Sequence, residues 1–294
     1  MRFWEEKGMK LTTVKSGGKE LAAILIDQKI ILIKDVNKAV GENWSEDLFS
    51  ILQNDQIAQI NSWYKQEGNK GIKEINQMAL ENVSFAPLYR HPDKIWGVGM
   101  NYIEKAVELS GKLPEEEPVI FMKPNSSLIG PEDVITLPSQ STKVTAEAEL
   151  AIIIGKACKN VQEVDVPDVI AGFTTSLDIT AKDIHAKNPR FLQRSKSFDT
   201  FFSFGPYLTT LDEVKDVKRI SVETVLNGEV HHRNVVLNMM YQPWWIVSFF
   251  SQIMTLHPGD VIMTGTPGSV VIRDGDVVDC TIEGLGELRN SVSS

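Results

Sequence analysis

The sequence predicts a mostly β protein with some α content, arranged as a small α+β N-terminal domain at residues 1–85 and a larger β-rich domain at residues 93–294. Three observations predict it. After Pro92 the chain becomes a series of short apolar runs separated by Gly, Pro and Asp: Ile95 to Val98, Val119 to Met122, Leu150 to Ile154, Ile220 to Leu226, Val261 to Met263 and Val277 to Ile282. Helical patterns there are few, near residues 102–110, 180–187 and 239–254. Many short strands with few helices require a sheet that bends or closes. Before Pro92 the texture differs, with a few strands and then one long amphipathic stretch.

The front elements follow in order. Lys10 to Val14 predicts a strand, Gly17-Gly18 a turn, and Leu21 to Ile26 and Ile30 to Ile33 two further strands. Residues 46–80 carry apolar positions at Leu48, Ile51, Leu52, Ile57, Ile60 and Trp63, a helical spacing. No cluster of reactive groups occurs here, so a structural role is expected. Pro87, His91 and Pro92 mark a linker. There is no internal repeat and no low-complexity tract.

The chain has 294 residues, 42% of them hydrophobic and 23% charged, which is enough for a sizeable core. Its net charge of −9, without a long basic run, argues against nucleic acid or an anionic membrane as partner. An enzyme for anionic substrates in so acidic a chain needs a local cation. Met1-Arg2-Phe3-Trp4-Glu5-Glu6-Lys7 lacks the apolar stretch of a signal peptide, and Trp244 to Phe250 is too short to span a bilayer. Cys158 and Cys280 stand far apart with no CxxC spacing. A reducing, cytoplasmic setting is expected.

Carboxylates give the first chemical signal. In Thr145-Ala146-Glu147-Ala148-Glu149-Leu150-Ala151 a strand would point Glu147 and Glu149 to one face. The apolar run that follows carries this strand into a core, where two ionised acids would repel unless a cation lay between them. Two acids in solvent at a strand entrance is the plainer reading of that motif alone. Ile170 to Asp178 reads as a strand ending at Asp178, with a helical pattern from Ile179 to His185. Asp178 is then either a helix N-cap or a third oxygen ligand. Three carboxylates without paired His or Cys favour a hard cation, Mg²⁺ or Mn²⁺, with Ca²⁺ as a possible substitute. Further on, Lys196 sits in Arg194-Ser195-Lys196-Ser197-Phe198-Asp199, and Thr264-Gly265-Thr266-Pro267-Gly268 forms a loop able to offer N–H groups and hydroxyls to a carboxylate.

In this order the segments resemble the fumarylacetoacetate hydrolase family over roughly residues 93–292. The resemblance rests on Gly97-Val98-Gly99-Met100-Asn101-Tyr102, Phe121-Met122-Lys123-Pro124, Gly130-Pro131, Glu147-Ala148-Glu149-Leu150-Ala151 and Ile154-Gly155-Lys156. It continues through Gly172-Phe173, Asp178-Ile179-Thr180-Ala181-Lys182-Asp183, Lys196-Ser197-Phe198-Asp199-Thr200, Gly205-Pro206, Asn227-Gly228-Glu229, Pro258-Gly259-Asp260 and Thr264-Gly265-Thr266-Pro267. It implies a roll-like β-barrel catalytic domain, a homodimer, and Glu147, Glu149 and Asp178 as metal ligands. By the same resemblance Lys196 lies near metal and substrate, Thr266 binds the substrate carboxylate, and the stretch from Tyr102 to about Glu117 closes over the site.

Departures from the family pattern bear on the chemistry. Lys105 stands where hydrolytic members have a histidine, with Glu108 at the paired position. Spacing i, i+3 puts these two on one helical face, where they also make an ordinary surface pair. Leu177 replaces an Asn, Lys182 an Arg, and His185 a substrate-contacting Gln. His185 is either a relocated acid–base group or a polar helix residue. The loop after Pro267 is short. The resemblance implies a divalent-metal-dependent enzyme that cleaves a C–C bond of a small anionic 2-oxo or 2,4-dioxo acid through a metal-chelated enolate, as hydrolase or decarboxylase. The alternatives are an isomerase or dehydratase of a 2-oxo acid in a catabolic pathway, or a catalytically silent metal-binding relative.

Overall fold

The computed structural model describes residues 8–72, 74–104 and 117–294. Its centre is an antiparallel pair of long strands, Val144–Ile154 and Ile170–Ala181, in a register that sets Glu147 opposite Asp178 and Glu149 opposite Ser176. Both are rich in β-branched and small residues, and every residue of Ile170–Ala181 is buried. The register slips between Ile170 and Gly172. Gly172 has φ 152°, and a Cβ there would meet the Thr209 carbonyl oxygen at 2.0 Å, so only glycine fits the bulge.

One flank of the pair carries Ser269–Ile272 beside the Glu147 end and Val261–Met263 beside Ala151 to Ile153. Val261–Met263 runs parallel to Ile95–Gly99, which pairs with Val119–Met122. Phe202–Phe204 lies against Asp178 on the other flank, and Tyr207–Thr209 meets Phe173. Lys10–Ser16 adds to Tyr207–Thr209 and carries the front meander of Lys19–Ile26, Lys29–Leu32 and Met78–Ala79. The front strands thus extend the same sheet. A second sheet orders Glu229–Val235, Ser221–Leu226, Val277–Ile282, Gly286–Ser293 and Val134–Thr136.

Period-two alternation divides the core. Ala146, Ala148, Leu150, Ile152 and Ile154 pack into one cluster with Val222, Val278, Cys280 and Leu288 of the second sheet. Ala151 and Ile153 face a second cluster that includes Met9, Leu11, Ile24, Trp44 and Leu48. Glu147 and Glu149 share that odd-numbered face but sit at its end, which keeps two carboxylates out of the apolar layer.

The expected strand boundary at Asp178 is corrected: the strand runs on through Ala181, and the helix is Lys182–Lys187 with Ala181 at its N-cap. Asp178 therefore lies within a strand, four residues before the helix. The 46–80 pattern resolves into Leu48–Gln53, capped by the Asp47 carboxylate accepting from Ser50 N, and Ile57–Ile72. Residues 239–254 contain the helix Pro243–Ile253, whose proline occupies the first turn where no donor is needed. Most of the helical pattern at 102–110 lies outside the described residues. Among the described residues no helix is long and apolar enough to cross a membrane.

Candidate active site

Glu147, Glu149 and Asp178 each present a carboxylate oxygen, and these oxygens lie within 4.8 Å of one another. The register of the central pair brings them together: Glu147 faces Asp178 across the ladder, and Glu149 is two residues along on the same face. Glu149 and Asp178 are buried and Glu147 half-buried. The Gly265 N–H donates to Glu149 Oε2 at 2.7 Å. Gly265 has φ 105°, and a Cβ would sit 2.7 Å from the Asn101 Cβ, so glycine is required for that donor to reach the carboxylate.

Lys196, on the short helix Leu192–Lys196, points its ammonium at the triad. Nζ donates to Glu147 Oε2 at 3.2 Å and to Asp178 Oδ2, and it lies over the Phe121 ring, 4.3 Å from the centroid. A second lysine enters from the strand Val119–Met122. Lys123 Nζ donates to the carbonyls of Ile179 and Phe201 at 2.7 Å each and lies 2.5 Å from Asp178 Oδ1. Sequence reasoning gave Lys123 no role. A lone lysine after four apolar residues carries no local signal, and its burial arises from strands 50 and more residues away.

The two buried lysines shift in opposite directions. Burial lowers Lys196, but Asp178 and Glu147 outweigh it and raise its pKa above the ordinary lysine value. For Lys123 burial prevails over the charge of Asp178, Lys196 repels it, and its pKa falls to about 8. Burial raises Glu149 well above the usual carboxylate range, and the charges of Asp178 and Glu147 raise it further.

The other predicted residues fall around this cluster. Tyr102 is fully buried, and its pKa is raised by burial and by the charge of Glu149. Its hydroxyl has no hydrogen-bond partner among the described residues. Thr266 is buried and its hydroxyl donates to the Gly268 carbonyl at 3.0 Å, one residue beyond the glycine that grips Glu149. Lys182 and His185 are half-buried on the helix that follows the Asp178 strand. Burial, then the charges of Lys182 and Lys196, lower the His185 pKa below the ordinary imidazole value. Lys105 and Glu108 lie outside the described residues. Asn101 holds the strand end in place: its amide donates to the carbonyls of Tyr241 and Thr264 and accepts from Tyr241 N.

The donor set fits a divalent cation. Asp178 Oδ1 is buried without an aligned hydrogen bond despite the nearby ammonium, so a lone pair stays available. All three donors are hard oxygens, which suit Mg²⁺ or Mn²⁺. Once Glu149 gives up its proton to a cation, three ionised carboxylates face the two ammoniums of Lys123 and Lys196, a balance of one negative charge before the cation is counted. A dication would turn that into one net positive charge, the complement of a substrate carboxylate. A groove of about 360 Å³ between Asn61, Lys65, Lys156 and Asp212 is lined by none of these groups.

Comparison with known proteins identifies what the chain is similar to. An uncharacterized protein of Archaeoglobus fulgidus is 45% identical over 201 residues, covering 68% of this chain and 78% of its own. The human (Homo sapiens) mitochondrial protein named oxaloacetate tautomerase FAHD2B is 38% identical over 219 residues, covering 71% of this chain and 69% of its own. Among solved structures, maleylpyruvate hydrolase from Sphingobium sp. SYK-6, in complex with manganese(II) and pyruvate, superposes with a TM-score of 0.80. That protein is 26% identical, and the match covers 97% of this chain and 99% of the other. Residues 94–293 match the model for the fumarylacetoacetate (FAA) hydrolase C-terminal domain, and the chain belongs to that family of enzymes.

Proposed function

We propose that this chain interconverts the enol and keto forms of a small 2-oxo dicarboxylic acid, with oxaloacetate as the expected substrate. The observation that carries the reading is the buried cluster of Glu147, Glu149 and Asp178 with the Lys196 ammonium held against two of its carboxylates. Glu147, Glu149 and Asp178 would hold Mg²⁺ or Mn²⁺, which when bound polarises the 2-oxo group as a Lewis acid. The remaining work falls to the protein's own groups. Lys196, kept protonated by Asp178 and Glu147, offers fixed positive charge where an enolate oxygen develops. The N–H groups of the glycine-rich loop and the Thr266 hydroxyl, turned from the Gly268 carbonyl when substrate arrives, take the carboxylate next to the oxo group, and Lys182 takes the distal one. The lowered pKa keeps the His185 imidazole neutral near pH 7, free to take a proton from C3 of the keto form and deliver it to the 2-oxygen of the enolate, and to run the same transfer in reverse from the enol.

Tautomerisation needs only that proton transfer, whereas hydrolysis also needs an activated water. Two features favour it: the tautomerase name of relatives 36–38% identical, and Lys105 in place of the histidine typical of hydrolytic members. C–C bond cleavage is the second reading, favoured by the likeness to maleylpyruvate hydrolase. A silent relative is disfavoured because it has little need for a complete buried set of charges. The test follows the decay of oxaloacetate enol absorbance with Mn²⁺, with Mg²⁺ and with a chelator. Rapid metal-dependent decay without release of pyruvate and CO₂ is expected. Equal decay with and without enzyme would end the proposal.

A further inference from the structure

We propose that Thr224 is a positioning residue, its single hydroxyl fixing the substrate loop at Thr266–Gly268 against the strand that carries Glu147 and Glu149. Thr224 belongs to the second sheet, in the strand Ser221–Leu226, and is completely buried. Its Oγ1 accepts from the N–H of Ala148, the residue between the two glutamates, at 3.3 Å. The same oxygen donates to the Gly268 carbonyl at 3.1 Å. Because the Ala148 N–H can only donate, the hydroxyl proton is left for Gly268, and the direction of the relay is determined.

Gly268 is also where the Thr266 side chain is tied. Its carbonyl accepts from Thr266 Oγ1 at 3.0 Å, and its N–H donates back to the same oxygen at 3.2 Å. The loop has a second attachment at Gly265, whose N–H grips Glu149 Oε2 at 2.7 Å. Thr266 is therefore bracketed: Gly265 binds a carboxylate of the triad directly, and Gly268 binds the strand between the glutamates through Thr224. The imidazole of His232, from the second sheet, lies against the loop as well, 2.3 Å from where a Gly268 Cβ would stand, so a side chain at that position has no room. This arrangement sets the spacing between the carboxylates and the Thr266 hydroxyl, and with it the length of the group that spans them.

The proposal rests on the reading of Thr266 as the contact for the substrate carboxylate. Its consequence is specific: losing the Thr224 hydroxyl should disturb binding of the organic acid more than binding of the cation. Valine keeps the shape of Thr224 but leaves the buried Ala148 N–H without a partner and removes a donor from Gly268. Thr224→Val and Thr224→Ser are compared by calorimetric titration of Mn²⁺, and then of pyruvate into the Mn²⁺-saturated protein. Thr224→Val is expected to weaken pyruvate about tenfold while Mn²⁺ affinity stays within about twofold, and Thr224→Ser restores both. With Thr224→Val and Thr266→Val combined, pyruvate should bind no more weakly than with Thr266→Val alone, since one acts through the other.

Unchanged pyruvate affinity in Thr224→Val would overturn the proposal. So would a serine variant as weak as the valine one, additive losses in the double variant, or a parallel loss of Mn²⁺ affinity. If the unmodified protein binds pyruvate but does not tautomerise oxaloacetate, the proposed reaction fails and the Thr224 result still stands. If it binds Mn²⁺ but no pyruvate, the Thr266 contact and this proposal fall together.

Discussion

Lys123 Nζ lies 2.5 Å from Asp178 Oδ1, and solvent reaches neither side chain. The ammonium also ties the Ile179 and Phe201 carbonyls, so one lysine links the Asp178 strand to the turn before Phe202–Phe204. Removing one partner of a buried pair leaves the other charge uncompensated. Lys123→Met should therefore destabilise the metal-free protein by about 3–5 kcal/mol. Added Mn²⁺ should recover more stability in this variant than in the unmodified chain, since the dication replaces the lost positive charge. Denaturant unfolding with chelator and with Mn²⁺ measures both, and a variant as stable as the parent would refute the account.

Glu149 contributes to the pH dependence of the metal-free protein. Its pKa is raised in the folded state by burial, then by Asp178 and Glu147. Its favourable contribution is then fully present below the ordinary carboxylate value of about 4.3 and lost as pH rises through the raised one. The Glu149 contribution should fall as pH rises above about 4.5, so Glu149→Gln should remove that part of the slope of stability against pH. Because a cation must displace the Glu149 proton, metal affinity should rise with pH and binding should release protons. Calorimetry in two buffers of different ionisation enthalpy detects the release. Identical heats in both would count against a protonated Glu149.

The sequence made part of this site legible and concealed the rest for identifiable reasons. Glu147 and Glu149 follow from period two, and the register needed only one strand to be recognised. Asp178 was ambiguous because a strand end followed by a helix is also where an N-cap belongs; the strand in fact runs on to Ala181. Lys123 and Thr224 gave no local signal, since each acquires its role from residues 55 and 76 positions away. The front strands were legible as strands. Their junction with Tyr207–Thr209 was not, because pairing across nearly 200 residues leaves no mark on either segment.

His185 should carry the proton. His185→Asn is expected to lower kcat for oxaloacetate tautomerisation about 10²-fold or more while leaving Mn²⁺ affinity unchanged. In the parent enzyme the acidic limb of the kcat profile should fall below the usual imidazole value, because burial, Lys182 and Lys196 all disfavour the imidazolium. Activity is then lost only as pH drops through that lowered value. Lys182→Gln should move the limb back toward the ordinary one. A kcat profile unaltered in His185→Asn would assign the proton to another group.

By the proposed reading, Lys105 should divide the two reactions left to the family site. A lysine of ordinary pKa, about 10.4, is a poor base at neutral pH, and the i, i+3 spacing of Glu108 in the sequence is expected to favour its charged form. Protonated Lys105 can hold an anionic substrate but cannot take a proton from water. The expected outcome is fast enol–keto exchange with slow or absent hydrolysis of acylpyruvates, and Lys105→Ala should raise KM far more than it lowers kcat. Lys105→His should add hydrolysis, since an imidazole titrates where a water-activating base is needed. The panel of 2-oxo and 2,4-dioxo acids on the unmodified protein decides first. Fast acylpyruvate hydrolysis, lost in Lys105→Ala through kcat alone, would make Lys105 a working base and return C–C cleavage to first place.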